Sequence, residues 1–291
     1  MHKIILTPTD NINIALNEFN INDPLEIILT PGEYRQKVKI SHSNITLRGL
    51  EKENTKIIYN DFSHKIHEDD GLLYNTFRTA TLTITGSNVS IENLTIENDS
   101  GYGPLIGQAL AVAVYGTGNK FDTCHLVGHQ DTLFIGPLPI ELTERYAHIL
   151  PADERTTVVG KHKFENCTIE GDVDFIFGSG DALFTNCNVL LTRKGYVTAP
   201  SHYHENQLGF IFYKCKISNV SDSTMVLGRP WRDYGRVTFI DCQITGLIEN
   251  RYNDWSKEHF YFYEHPYVED KLNHPITENK LKELLDQIKS W

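Results

Sequence analysis

The sequence predicts an all-β solenoid, a parallel β-helix, on three observations. All five cysteines stand in one phrase, Phe-x-x-Cys-x-aliphatic, which reads Phe121-Cys124-Leu126, Phe164-Cys167-Ile169, Phe184-Cys187-Val189, Phe212-Cys215-Ile217 and Phe239-Cys242-Ile244. Successive cysteines are 43, 20, 28 and 27 residues apart, and a period of about 20 to 50 residues marks a stack of repeated units. From Leu25 onward, short segments alternate apolar with Thr, Ser, Arg or Asn, as at Ile45 and Leu47, Leu82 and Ile84, Val89 and Ile91, and Leu94 and Ile96; this is the period-two pattern of strands. An antiparallel sandwich would join neighbouring strands through Asn-Gly or Asp-Gly hairpins. The chain has no Asn-Gly and one Asp-Gly, Asp70-Gly71. The leucine and asparagine spacing of leucine-rich repeats is also absent.

One domain spanning 1–291 is expected, and its elements follow in chain order. Asp10 is placed to cap a short amphipathic helix over about 10–20 that carries Ile12, Leu16 and Phe19. Strands then alternate with turn residues such as Pro31-Gly32, Gly86-Ser87-Asn88 and Gly116-Thr117-Gly118. The gap of 43 residues equals one coil of about 20 plus an inserted loop, placed at about 136–159, with a short helix near Pro151 to Arg155. A loop leaving the stack there overhangs whatever lies between the neighbouring coils, and loops on a rigid scaffold carry specificity. Over about 277–290, Leu281, Leu284, Leu285 and Ile288 share one helical face, which suits a cap on the open end of the solenoid.

Composition excludes several classes. A hydrophobic content of 40% supports a core, and the net charge of −11 argues against nucleic acid, which recruits basic surfaces. No stretch approaches the roughly 18 to 20 apolar residues of a membrane span. An odd number of cysteines, none in the close pairs of a zinc site, reads as free thiols buried in the core. The apolar run Ile4-Ile5-Leu6 is shorter than a signal-peptide core of roughly 7 to 15 residues. A cytoplasmic protein is therefore expected, although a secreted one after signal removal reads the same. A monomer is the default expectation.

Two of the phrases carry an aspartate at the same offset: Asp131 lies seven residues after Cys124, and Asp174 seven residues after Cys167. Equal offset on stacked units puts the two carboxylates on neighbouring coils, whose strands lie roughly 4.8 Å apart. Such a pair titrates together, one member acid and the other base. Large apolar neighbours, Phe175-Ile176-Phe177 beside Asp174 and Leu133-Phe134 beside Asp131, imply partial burial, which costs free energy unless it serves a purpose. Further on, Leu227-Gly228-Arg229-Pro230-Trp231 places an arginine in extended backbone before a proline. Arg229 can pair with a carboxylate and fix its ionised form, and Trp231 offers a flat face for a sugar ring.

Taken together, Gly107-Gln108-Ala109-Leu110-Ala111-Val112, Gly128-His129-Gln130-Asp131-Thr132-Leu133, Asp172-Val173-Asp174-Phe175-Ile176-Phe177-Gly178 and Leu227-Gly228-Arg229-Pro230-Trp231 occur in this order and resemble the signature segments of the pectin methylesterases. Pro31-Gly32-Glu33-Tyr34 resembles the family's first segment, and the likeness runs from about Leu25 to Trp255. The resemblance implies a right-handed parallel β-helix and hydrolysis of methyl esters on polygalacturonate or its oligomers, with no cofactor and no metal. It implies that Asp174 is the nucleophile, Asp131 the acid and base, and Gln108 and Gln130 the amides that hold the oxyanion. Arg229 matches the residue that holds the nucleophile charged, while Trp231, Phe177 and Val173 match groups of the sugar subsites. This chain departs from the pattern at Gln36, where Glu is usual, at His129, where Tyr is frequent, and in a longer loop between the aspartates than plant-like members have.

Rival readings fare less well. A serine esterase needs Gly-x-Ser-x-Gly, which does not occur. Gly101-x-Gly103 and Gly116-x-Gly118 lack the third glycine of a dinucleotide loop and read as turns. His202 and His204 alternate as metal ligands would, but without neighbouring Asp or Cys they read as surface or loop histidines. A glycosidase or lyase on the same polymer also uses carboxylates, and a binding solenoid would be expected to have lost part of the aspartate and arginine set. If the protein is cytoplasmic, short imported methylated oligogalacturonates are the expected substrate.

Overall fold

The computed structural model describes residues 2–248 and 250–291. The chain winds into a parallel β-helix. Among the described residues, one sheet of eleven strands runs from His2–Leu6 at one end to Asn273–His274 at the other. A second sheet of thirteen strands divides into two ladders, which the long strands Thr168–Gly178 and Asn188–Pro200 join by belonging to both. Each central coil therefore carries three strand faces: in one coil, Asn119–Asp122 on the first sheet, His125–Val127 on the second ladder and Leu133–Ile135 on the third.

The repeated phrase is the corner between the first sheet and the second ladder. Its phenylalanines pair in register and their rings stack inside the helix: Phe121 on Phe164 at 4.8 Å, Phe164 on Phe184 at 4.8 Å, Phe184 on Phe212 at 4.4 Å and Phe212 on Phe239 at 5.0 Å. The residue before each cysteine turns the corner in the left-handed region, with φ of 56° at Thr123, 54° at Asn166, 54° at Asn186, 54° at Lys214 and 52° at Asp241. The cysteine then points back inward. Its thiol donates to a backbone carbonyl of the coil before: Cys167 to Phe121 O, Cys187 to Phe164 O, Cys215 to Phe184 O and Cys242 to Phe212 O, at 3.3–3.6 Å. The thiols are free, and four are fully buried; Cys242, at the C-terminal edge of the row, is partly exposed.

At the N-terminal end, helix α1 (Ile12–Asn17) buries Ile12 and Leu16 in the core. Its cap is Asn11, whose side chain accepts from Ile14 N at 3.0 Å. The expected cap, Asp10, instead accepts from Thr7 N and Thr7 Oγ1 at 2.7 Å each. In the inserted loop the main helix is α2 (Ile140–Arg145); the segment near 151–155 forms only a 3₁₀ turn, Ala152–Glu154.

Helix α3 (Glu278–Ser290) begins at Thr277, which caps it through Lys280 N at 3.3 Å. It does not cover the open end, as the sequence suggested. Its apolar face lies along the outside of the first sheet, where Leu284 joins Leu183, Ile211 and Ile240, with Leu281, Leu285 and Ile288 packed around them. Those three sheet residues point away from the phenylalanine stack and need a cover of their own. The third ladder has a similar outward apolar row, Ala113, Phe134, Phe177 and Ala199, which the inserted loop covers with Leu138, Leu142 and Leu150.

Candidate active site

The two aspartates occupy equivalent corners of adjacent coils. The ladder pairs Leu133 with Ile176, and each aspartate stands two residues before its member of that pair. Asp131 N donates to Val173 O at 3.0 Å, tying one corner to the next. Both aspartates are in the left-handed region, φ 66° for Asp131 and 51° for Asp174. That backbone costs on the order of 1 kcal/mol or more for a residue other than glycine and turns both carboxylates out of the core. Three residues earlier stand Gly128 and Gly171. A Cβ on Gly171 would lie 2.2 Å from Phe175 Cβ, and one on Gly128 would lie 2.7 Å from Thr132 Oγ1.

Arg229, just past the strand Met225–Gly228, closes on Asp174 with both arms: Nε donates to Oδ1 at 2.8 Å and a terminal nitrogen to Oδ2 at 2.6 Å. The guanidinium is itself held between two rings, Tyr196 at 3.7 Å and Trp255 at 3.8 Å. Two flat faces prevent it from swinging away from its carboxylate. Asp131 has no such partner among the described residues.

Both carboxyls are nearly buried, 8% exposed for Asp131 and 7% for Asp174, and burial raises both above the usual carboxylate range. At Asp174 the hydrogen bonds and charge of Arg229 pull the other way. At Asp131 the negative charge of Asp174 adds to burial, and the carboxyl is held well above its ordinary value. Arg229 thus favours the charged form of Asp174, whereas at Asp131 burial and the neighbouring charge together favour the proton.

Gln108 and Gln130 flank the carboxylates. Ser63 fixes the Gln108 backbone: Ser63 N donates to Gln108 O at 2.8 Å, and Gln108 N to Ser63 Oγ at 3.1 Å. Ala109 N donates to Gln130 O at 3.1 Å. Neither glutamine side chain engages a protein group among the described residues, so both amides are free to face a ligand. Trp231 is partly exposed on the rim. Phe177, 3% exposed, stands behind it with an edge-to-face ring contact at 5.8 Å. It is a backing wall more than a platform.

Asp131, Asp174, Gln108, Gln130, Arg229, Trp231 and Phe177 all line one cleft of about 340 Å³. Val173 does not; it lies in an adjoining arm beyond Gln108 and Gln130, beside Arg193 and Lys194. Tyr196, Trp255 and Tyr146 went unnoticed in the sequence. Tyr196 sits on a strand in register with Val173, a pairing that only the alignment of coils reveals.

His202 is no surface residue. It is buried in a loop, where Nε2 meets Gly180 O at 3.2 Å and Nδ1 accepts from Arg236 N at 3.0 Å. Burial holds its pKa down to about 3, so it stays neutral. Among the described residues, no three His, Cys, Asp or Glu side chains are grouped to hold a metal ion.

A carboxylate gripped by an arginine with both arms, a second carboxyl beside it that favours its proton, and two free amides at the same cleft suit nucleophilic attack on an acyl carbon with proton delivery to the leaving group.

Comparison with known proteins bears on the same reading. The family model described as Pectinesterase matches residues 8–137 and 156–271. Pectinesterase 31 of Arabidopsis thaliana is 32% identical over 231 residues, 77% of this chain and 65% of that protein, so the chain spans slightly less than two thirds of that relative. Among solved structures, the pectin methylesterase from Yersinia enterocolitica has a TM-score of 0.77 at 23% identity, over 96% of this chain and 98% of that one. A pectin methylesterase in complex with hexasaccharide VII has a TM-score of 0.73 at 23% identity, over 94% of this chain and 90% of that one.

Proposed function

Because the chain belongs to the pectinesterase family, we propose that it hydrolyses methyl esters of polygalacturonate or its oligomers and releases methanol. The observation that carries this reading is the two-armed grip of Arg229 on Asp174 next to an Asp131 that favours its proton.

In the proposed reaction an Asp174 oxygen bonds to the ester carbon at C6 of a galacturonate unit. The carbonyl electrons move onto oxygen, where the amides of Gln108 and Gln130 donate to it. Collapse of this intermediate breaks the bond to the methoxy oxygen, which takes the proton of Asp131 and leaves as methanol. The sugar is then joined to Asp174 as a mixed anhydride. Asp131, now ionised, takes a proton from water as the water oxygen attacks the same carbon. The bond to Asp174 breaks, the acid product departs, and both aspartates return to their starting states. Trp231, backed by Phe177, supplies a face for a sugar ring. The solved relative bound to a hexasaccharide supports an oligosaccharide as the ligand class.

The test is methanol release from highly methylated pectin and from methylated trigalacturonate by wild type, Asp131→Asn and Asp174→Asn. Release by wild type, reduced at least about a thousandfold in each variant, is the expected outcome. New reducing ends without methanol would assign a glycosidase instead.

A further inference from the structure

The family match leaves out residues 138–155, and that segment builds one wall of the cleft. It is seated firmly. Leu138, Leu142 and Leu150 are buried on the third ladder, and the Tyr203 hydroxyl donates to Leu138 O. At its far end, Lys39 pairs with Asp153 at 3.0 Å and Glu154 at 2.7 Å. So anchored, α2 presents Leu142 and Arg145, and Tyr146 just after it, to the cleft that holds both aspartates.

Three arginines line that cleft, Arg145, Arg229 and Arg232. Arg229 is committed to Asp174, and Arg232 pairs with Glu141 at 2.6 Å. Arg145 has no ion pair among the described residues; its guanidinium stands 5.7 Å from the Tyr146 ring. An uncommitted guanidinium over an aromatic ring, at the edge of a site proposed to take galacturonate units, matches a planar carboxylate better than a neutral ester.

We propose that Arg145 is a specificity-determining residue that binds the free carboxylate of a galacturonate unit flanking the scissile ester, so that partly de-esterified chains are preferred. This rests on the esterase reading above. The chemistry is self-consistent, since each turnover creates one such carboxylate on the chain.

The experiment measures kcat and KM for methanol release by wild type, Arg145→Gln and Arg145→Lys. The substrates are fully methylated trigalacturonate and a trigalacturonate with one methyl ester and two free carboxylates. Arg145→Gln should raise the ratio of the mono-ester KM to the tri-ester KM about tenfold. Arg145→Lys should restore most of the ratio, and added salt should shrink the wild-type preference. An unchanged ratio in Arg145→Gln overturns the role of Arg145 while leaving the esterase intact. No methanol from either substrate with wild type overturns the esterase reading and this role with it.

Discussion

Asp131 and Asp174 are the same side chain at equivalent corners, and they differ in what stands beside them. Arg229 opposes the effect of burial at Asp174, whereas Asp131 meets burial and the charge of its twin together. The pH profile of kcat/KM should therefore be a bell: its acid limb is the protonation of Asp174, and its alkaline limb the loss of the Asp131 proton. Stability carries the same information. A carboxyl whose folded pKa is raised stabilises the fold fully below its unfolded pKa of about 3.9, and loses that contribution as pH rises through the folded value. Asp131→Asn lacks this slope. It should melt above wild type at neutral pH, with the gap closing toward about pH 4. Melting curves across that range check the sign, and a gap that widens on acidification would contradict it. Both aspartates, Arg229 and Trp231 were legible in the sequence, because motif order and offset are local. The two rings around Arg229 were not, because Tyr196 and Trp255 come from other coils.

The two helices that lie elsewhere than expected, α2 and α3, do so for one reason: the solenoid has outward apolar rows as well as an inward core. Leu183, Ile211 and Ile240 sit in continuous apolar runs, Ala182-Leu183-Phe184, Phe210-Ile211-Phe212 and Phe239-Ile240, not in alternation. A strand buried on both faces reads that way, and this was the available signal for α3 lying on the flank. Leu284→Asp should release α3 by placing a charge in that apolar seam, costing at least about 2 kcal/mol. Limited proteolysis should then cut between the sheet and α3 while methanol release persists, because the cleft lies on the other two faces. Loss of activity in step with α3 would show that the helix supports the site. The inserted loop follows the same rule on the third ladder, which is why its helix forms at Ile140–Arg145, where Leu142 meets that apolar row.

At the scale of the molecule, the five-ring stack and the row of thiols repeat one corner coil after coil. In such a stack each unit contacts only its neighbours, and stability is close to a sum of local terms. Phe184 has a stacked ring on both sides, whereas Phe239 stacks on Phe212 alone. Phe184→Ala should cost about 3–5 kcal/mol, and Phe239→Ala less. Denaturant midpoints for the two variants test the order, and equal losses would argue that the stack is not the unit of stability.

The sequence by itself determined the coil, the corner phrase, the two aspartates at one offset and the arginine poised for one of them. Each of these is written in spacing, and spacing survives without coordinates. Tertiary structure alone decided that Tyr196 and Trp255 clamp Arg229, that α3 rests on the flank of the first sheet, and which side chains of the inserted loop, Leu142, Arg145 and Tyr146, wall the cleft. These depend on side chains from different coils meeting across a face. The free energy of such meetings comes from burial and charge coupling in three dimensions, which no period along the chain records.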